Sequence, residues 1–238
     1  MASLRSTADS LEVLYEDNHI LAVNKRAGDI VQGDKTGDIP LSEICKQYIA
    51  KKYNKPGAVF LGVVHRLDRP TSGLVIFART SKALTRLNAI FSNREVEKTY
   101  WAMVHGKVDV GEQTLEHFMV RNTKQNKSYA NIKEVPNSKK ASLTYKVCAL
   151  LDRYSFCQVQ LHTGRHHQIR AQFTAIGHPI KGDLKYGANR SNKGGGIDLH
   201  ARQVTFIHPV KKEPLTITAP TPGDPLWKAA IKAGTDCA

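Results

Sequence analysis

The chain has 238 residues, 41% hydrophobic and 24% charged, an ordinary composition for a globular protein. No segment approaches the uninterrupted apolar length a membrane-spanning helix needs, which argues against a helical membrane protein. Lys and Arg number 35 against 21 Asp and Glu, a formal charge of +14, and this balance suits a polyanionic partner.

The positive charge is clustered: Lys46 to Lys55 holds four lysines, and Arg121 to Lys140 carries six Lys or Arg against the single acid Glu134. Such clusters suit phosphate tracking, with a basic surface that only aids solubility as the plain alternative. Residues 1–10 have no apolar core of the kind a secretory signal requires, so a cytoplasmic location is expected. The four cysteines show no C-x-x-C spacing and are read as reduced structural thiols.

Leu11–Tyr15 and Ile20–Asn24 are β-prone runs parted by a turn-prone segment, which predicts an opening hairpin. Leu41, Ile44, Tyr48 and Ile49 then share one side of a helix predicted over 41–52, between Pro40 and the Asn54, Pro56 and Gly57 breakers. Apolar runs at 61–64 and 74–78 flank a polar loop containing Pro70 and Gly73. A second helix, with Thr80 and Ser81 as capping candidates, carries Leu84, Leu87, Ile90 and Phe91 on one face.

Strands are expected at 99–104, 143–147 and 157–161, whereas the polar composition of 124–140 permits a flexible loop. Ile169, Phe173 and Ile176 predict a helix over 165–176, closed by Gly177 and capped by Thr163. On it Arg165, Gln168 and Gln172 would share a ligand-facing side, or serve as ordinary capping and solvent-facing residues. Five glycines between 182 and 196 suggest a mobile surface loop before strands at 199–207 and 215–218. The absence of regular strand–helix alternation points to an α+β fold with a mixed, largely antiparallel sheet and flanking helices.

Two polar segments can carry chemistry: His65-Arg66-Leu67-Asp68-Arg69-Pro70-Thr71-Ser72-Gly73 and His162 to Arg170. Guanidinium charge beside Asp68 favours an ionised carboxylate, the form a nucleophile or base needs; a structural ion pair or turn former is the alternative. His162, His166 and His167 lack a standard metal-ligand spacing, and no metal is expected. Phosphate-loop, dinucleotide and nucleophile-elbow motifs are likewise missing.

In order along the chain, the 65–73 segment, Glu97-Lys98-Thr99-Tyr100, Thr163-Gly164-Arg165-x-His167-Gln168-Ile169-Arg170, Gly177-His178-Pro179-Ile180, Gly182-Asp183, Tyr186-Gly187, Leu199-His200-Ala201, Phe206-x-His208-Pro209 and Ala219-Pro220 together resemble the RluA-type family of RNA pseudouridine synthases. The resemblance implies that family's catalytic fold over 11–226 with a central active-site cleft, an N-terminal extension at 1–10 and a C-terminal tail at 227–238. It is similar to the short form, without an S4 domain.

The resemblance further implies an isomerase acting on uridine in ribosomal or transfer RNA. Asp68 would be the catalytic aspartate, Tyr100 the aromatic residue against the target base, Arg165 the ion-pair partner of Asp68, and Arg66 a filler of the gap left by the displaced nucleotide. No cofactor, metal or membrane partner is implied, and a monomer is expected. His166 and Gln172 depart from the family pattern, at positions often Thr and His. The rival readings are a non-catalytic RNA-binding protein of the same fold and a metal-dependent hydrolase.

Overall fold

The computed structural model describes residues 5–234. In chain order the elements are β1 Val13–Glu16, β2 Ile20–Lys25, α1 Leu41–Lys52, β3 Gly62–Val63, β4 Ser72–Ala78, α2 Ser81–Ser92, β5 Val96–His105, β6 Glu112–Asn122 and β7 Lys127–Asn131. They continue as β8 Lys139–Leu150, β9 Tyr154–Leu161, α3 Gln168–Ala175, a 3-10 turn at Leu184–Tyr186, β10 Leu199–Ile207, β11 Pro214–Thr218 and α4 Pro225–Ala233. The described residues fall into two compact units: the chain up to Lys98 with Ala201–Pro220, and Thr99–His200 with the chain from Thr221 onward.

In the first unit β1, β2 and β4 form an antiparallel sheet with β3 also on β4, and β10 pairs antiparallel with β11. Successive residues of a strand face opposite sides, and β2 uses both sides for apolar burial. Ile20 and Ala22 join Leu74, Ile76, Ala83 and Leu87 on the α2 side, while Leu21 and Val23 join Val75, Phe77, Leu41, Cys45 and Ile49 on the α1 side. This two-sided burial explains why β2 and β4 read as continuous apolar runs. Thr80 Oγ1 accepts from Ala83 N at 3.1 Å and so caps α2 as expected, and α1 follows Pro40 over the predicted range.

In the second unit the antiparallel order is β5-β9-β8-β6-β7. Ala102, Val104, Tyr145, Cys157 and Val159 face Ile169 and Phe173 of α3. The opposite face carries Trp101, Met103 and Phe156 against Trp227 and Ala230 of α4. The α+β, largely antiparallel reading therefore holds, and no helix among the described residues is long and apolar enough to cross a membrane.

Several local expectations are corrected. Residues 124–140 are not a loop throughout: β7 pairs with β6 across the turn at 123–126, and β8 begins at Lys139. The glycine-rich stretch is anchored where Asp183 and Tyr186 are buried, and Lys181, Asn192 and Asp198 are hydrogen-bonded together. Cys148 is disulfide-bonded rather than reduced, whereas Cys45 and Cys157 are free and buried; Cys237 lies outside the described residues.

Candidate active site

The 64–71 loop is built by the ends of β2 and β4. The register places Lys25 opposite Gly73, and Gly73 has φ +112, with a hypothetical Cβ only 2.4 Å from the Ala201 carbonyl oxygen of β10. Only glycine tolerates both the backbone angle and that approach. Upstream, Thr71 N donates to Asp68 O at 3.0 Å, closing a turn through Arg69 and Pro70.

The turn is pinned from β2. Lys25 is fully buried, and its Nζ donates to the carbonyls of Arg26 and Arg69 at 2.9 and 3.1 Å; Gly28 N also donates to Arg69 O at 2.8 Å. Burial drives the Lys25 pKa down to about 7, against the opposing pull of the carboxylates of Asp29 and Asp68. A candidate carboxylate thus sits on a turn held by three donors, within the field of a buried amine. Lys25 escaped the sequence reading, because a buried lysine at a strand end has no periodic signature.

Asp68 is half-buried and Arg66 is exposed. His65 accepts from Ile76 N through Nε2 at 3.0 Å and stacks on Phe91 with centroids 4.9 Å apart. That bond requires a neutral ring, and desolvation, aided by the charge of Lys98, holds its pKa at about 3. Beyond the turn, the Arg69 guanidinium pairs with Asp38, which also pairs with Arg5; these two arginines, Arg5 first, hold the Asp38 carboxyl down at about 2.

Tyr100 and Arg165 belong to the second unit. Tyr100 is half-buried on β5 opposite Val159, which in turn faces Tyr145 of β8, so the three share the α3 side of that sheet. The segment leading to α3 is stapled to β8: His162 N and Thr163 N donate to Ser142 O, and Ser142 N donates to Thr163 Oγ1. Arg165 projects from this staple, its Nε donating to Lys140 O at 3.1 Å.

The helix itself begins at Gln168, three residues later than predicted, because His167 takes a left-handed conformation at φ 54. Thr163 Oγ1 donates to Gln168 Oε1 instead of capping the helix backbone. Gln168 and Gln172 do not form a ligand-facing side: both are buried, Gln168 bonded to Ser142 O and Gln172 to Leu115 O. Several other motif residues are scaffold. Arg170 forms a buried two-bond ion pair with Asp183 at 2.6 and 2.9 Å, and His208 Nε2 meets Asp17 Oδ2 at 3.0 Å.

Among the described residues no group of three or more His, Cys, Asp or Glu is arranged to hold a metal ion. The histidines singled out by sequence are occupied otherwise: His166 stacks on His167 at 3.7 Å, and His167 Nδ1 meets Tyr186 Oη at 3.0 Å.

The scaffold is an antiparallel α+β one, and residues 19–175 match the RNA pseudouridylate synthase family: the chain belongs to that family. It is 33% identical over 214 residues to the ribosomal large subunit pseudouridine synthase C of Vibrio vulnificus (strain CMCP6), an alignment covering 87% of this chain and 65% of that protein. It is 32% identical over 227 residues to the tRNA pseudouridine synthase C of Pasteurella multocida (strain Pm70), covering 88% and 91%. Among solved structures, human RNA pseudouridylate synthase domain containing 1 superposes with a TM-score of 0.76 at 26% identity, over 95% of this chain and 90% of that one. The chain therefore spans just under two thirds of the length of the first of these relatives.

Proposed function

We propose that this protein isomerises uridine to pseudouridine in ribosomal or transfer RNA, with Asp68 as the catalytic carboxylate. The observation that carries the reading is the pinned turn: Lys25 and Gly28 fix the carbonyl next to Asp68, and preorganisation of this kind is what a reacting carboxylate requires. Family membership and the activities named for the two bacterial relatives support the same reaction.

The reaction breaks the N1–C1′ glycosidic bond, turns the uracil and joins C5 to C1′, with the C5 hydrogen leaving as a proton. It is neutral in redox. An ionised carboxylate can attack C1′ or C6 or remove the C2′ proton, and the resemblance favours action at the sugar. Unstacking the target costs a few kcal/mol, and stacking on Tyr100 would return about 1–3 kcal/mol. In this reading Arg165 pairs with Asp68, and Arg66 occupies the space the nucleotide leaves.

The test is release of tritium from RNA labelled at uridine C5. Wild-type protein is expected to release it, and Asp68→Asn to bind the RNA without release. Release persisting in Asp68→Asn would remove Asp68 from the chemistry.

A further inference from the structure

Arg69 follows Asp68 directly, and its side chain leaves a backbone position held by Lys25 Nζ and Gly28 N. Its guanidinium does not serve Asp68's own turn but reaches Asp38 and Thr36 Oγ1, the latter at 3.1 Å. Arg5 reaches the other oxygen of the same Asp38 carboxylate. Thr36 Oγ1 also lies 3.2 Å from Asp38 Oδ2. Two guanidiniums therefore converge on Asp38, beside the Thr36 hydroxyl, whose shorter bond goes to the exposed Asp34 carboxylate.

The Asp38 anion follows directly on an exposed segment and is itself partly open to solvent. Residues 32–37 are all exposed, and Gly33 and Gly37 have open space around them. The side chains of Arg5 and Arg69 are 52% and 38% exposed, so solvent screens the pair and replacing one anion by another there carries a small penalty. Guanidinium forks match phosphate as well as carboxylate, and a phosphate offers more acceptor oxygens to the two guanidiniums than Asp38 does.

We propose that Arg5 and Arg69 form a binding site for an RNA backbone phosphate, which the Asp38 carboxylate occupies in the absence of RNA and yields when RNA binds. The inference rests on the reading that the chain acts on RNA. It assigns the site to a phosphate flanking the nucleotide presented to Asp68, since Arg69 is the next residue along the same turn. Asp38 is then an internal competitor that weakens binding of any polyanion failing to supply a phosphate at this position.

The test measures binding of a fluorescein-labelled uridine-loop hairpin RNA to the full chain across a salt series, with tritium release from C5-labelled RNA measured in parallel. Asp38→Asn is compared with Glu43→Gln, which removes an equal charge from α1, where Glu43 pairs with Lys46. Neither acid belongs to a hydrophobic core cluster, and circular dichroism checks that each variant is folded. Asp38→Asn is expected to bind several-fold more tightly than Glu43→Gln, and the gain to vanish in an Arg5→Gln/Arg69→Gln background. Arg69→Gln alone is expected to lower the salt slope by about one.

Equal gains from Asp38→Asn and Glu43→Gln, or a gain persisting without the two arginines, would overturn the site while leaving tritium release intact. Specific tightening without tritium release would leave the site standing and remove the isomerase reading. Failure of the wild-type protein to bind this RNA would overturn the site, and release of tritium would then decide the isomerase reading separately.

Discussion

At the scale of single residues, the region around Asp68 owes its geometry to groups whose protonation is constrained. His65 must stay neutral to accept from Ile76 N, and its pKa is held at about 3 against an ordinary value of 6.5. Between those values the unfolded chain binds a proton that the folded chain refuses, so stability falls as pH drops through that window. His167, held at about 2 mainly by burial, acts in the same direction. Urea midpoints are expected to fall on acidification from pH 6.5, and His65→Asn, which cannot titrate, should flatten part of that fall; an unchanged pH dependence would count against this account. The motif around Asp68 was legible from sequence. Lys25 and Asp38 were not, because one is a lysine in a core and the other meets Arg69 from 31 residues away.

Among the elements, legibility followed how one-sided each segment is. The α1 boundaries were readable because Pro40 precedes a clear apolar face. β6 was missed because its inward residues include His117 beside Met119, while most of the strand is exposed or half-exposed and polar. The start of α3 was misplaced by a left-handed His167, a conformation no hydrophobic period reveals. α4 was missed because it is nine residues long and follows a proline-rich stretch, yet it closes one face of the second unit. Trp227 is 1% exposed and packs edge-on to Phe156 with centroids 5.9 Å apart. Trp227→Ala is expected to cost about 3–5 kcal/mol, read by urea denaturation; a loss below about 1 kcal/mol would show that α4 is dispensable to that core.

For the whole molecule, a net charge of +14 should dominate affinity for RNA while leaving selectivity to shape and exposed bases. The logarithm of the RNA affinity is expected to fall linearly with the logarithm of salt concentration. If about six phosphates are engaged, the loss between 50 and 200 mM salt should be about a thousandfold. A salt-insensitive affinity in a filter-binding titration would refute that picture. The division into two units has a separate consequence, for synthesis. Neither unit is a continuous stretch of chain, since the first needs Ala201–Pro220 and the second needs residues beyond Thr221. A nascent chain that has reached residue 200 holds β1 to β4 without β11 or most of β10, and β5 to β9 without α4. Translation therefore cannot finish the N-terminal unit before beginning the next, as domain-by-domain folding does. Both are completed only once residues 201–233 have been made.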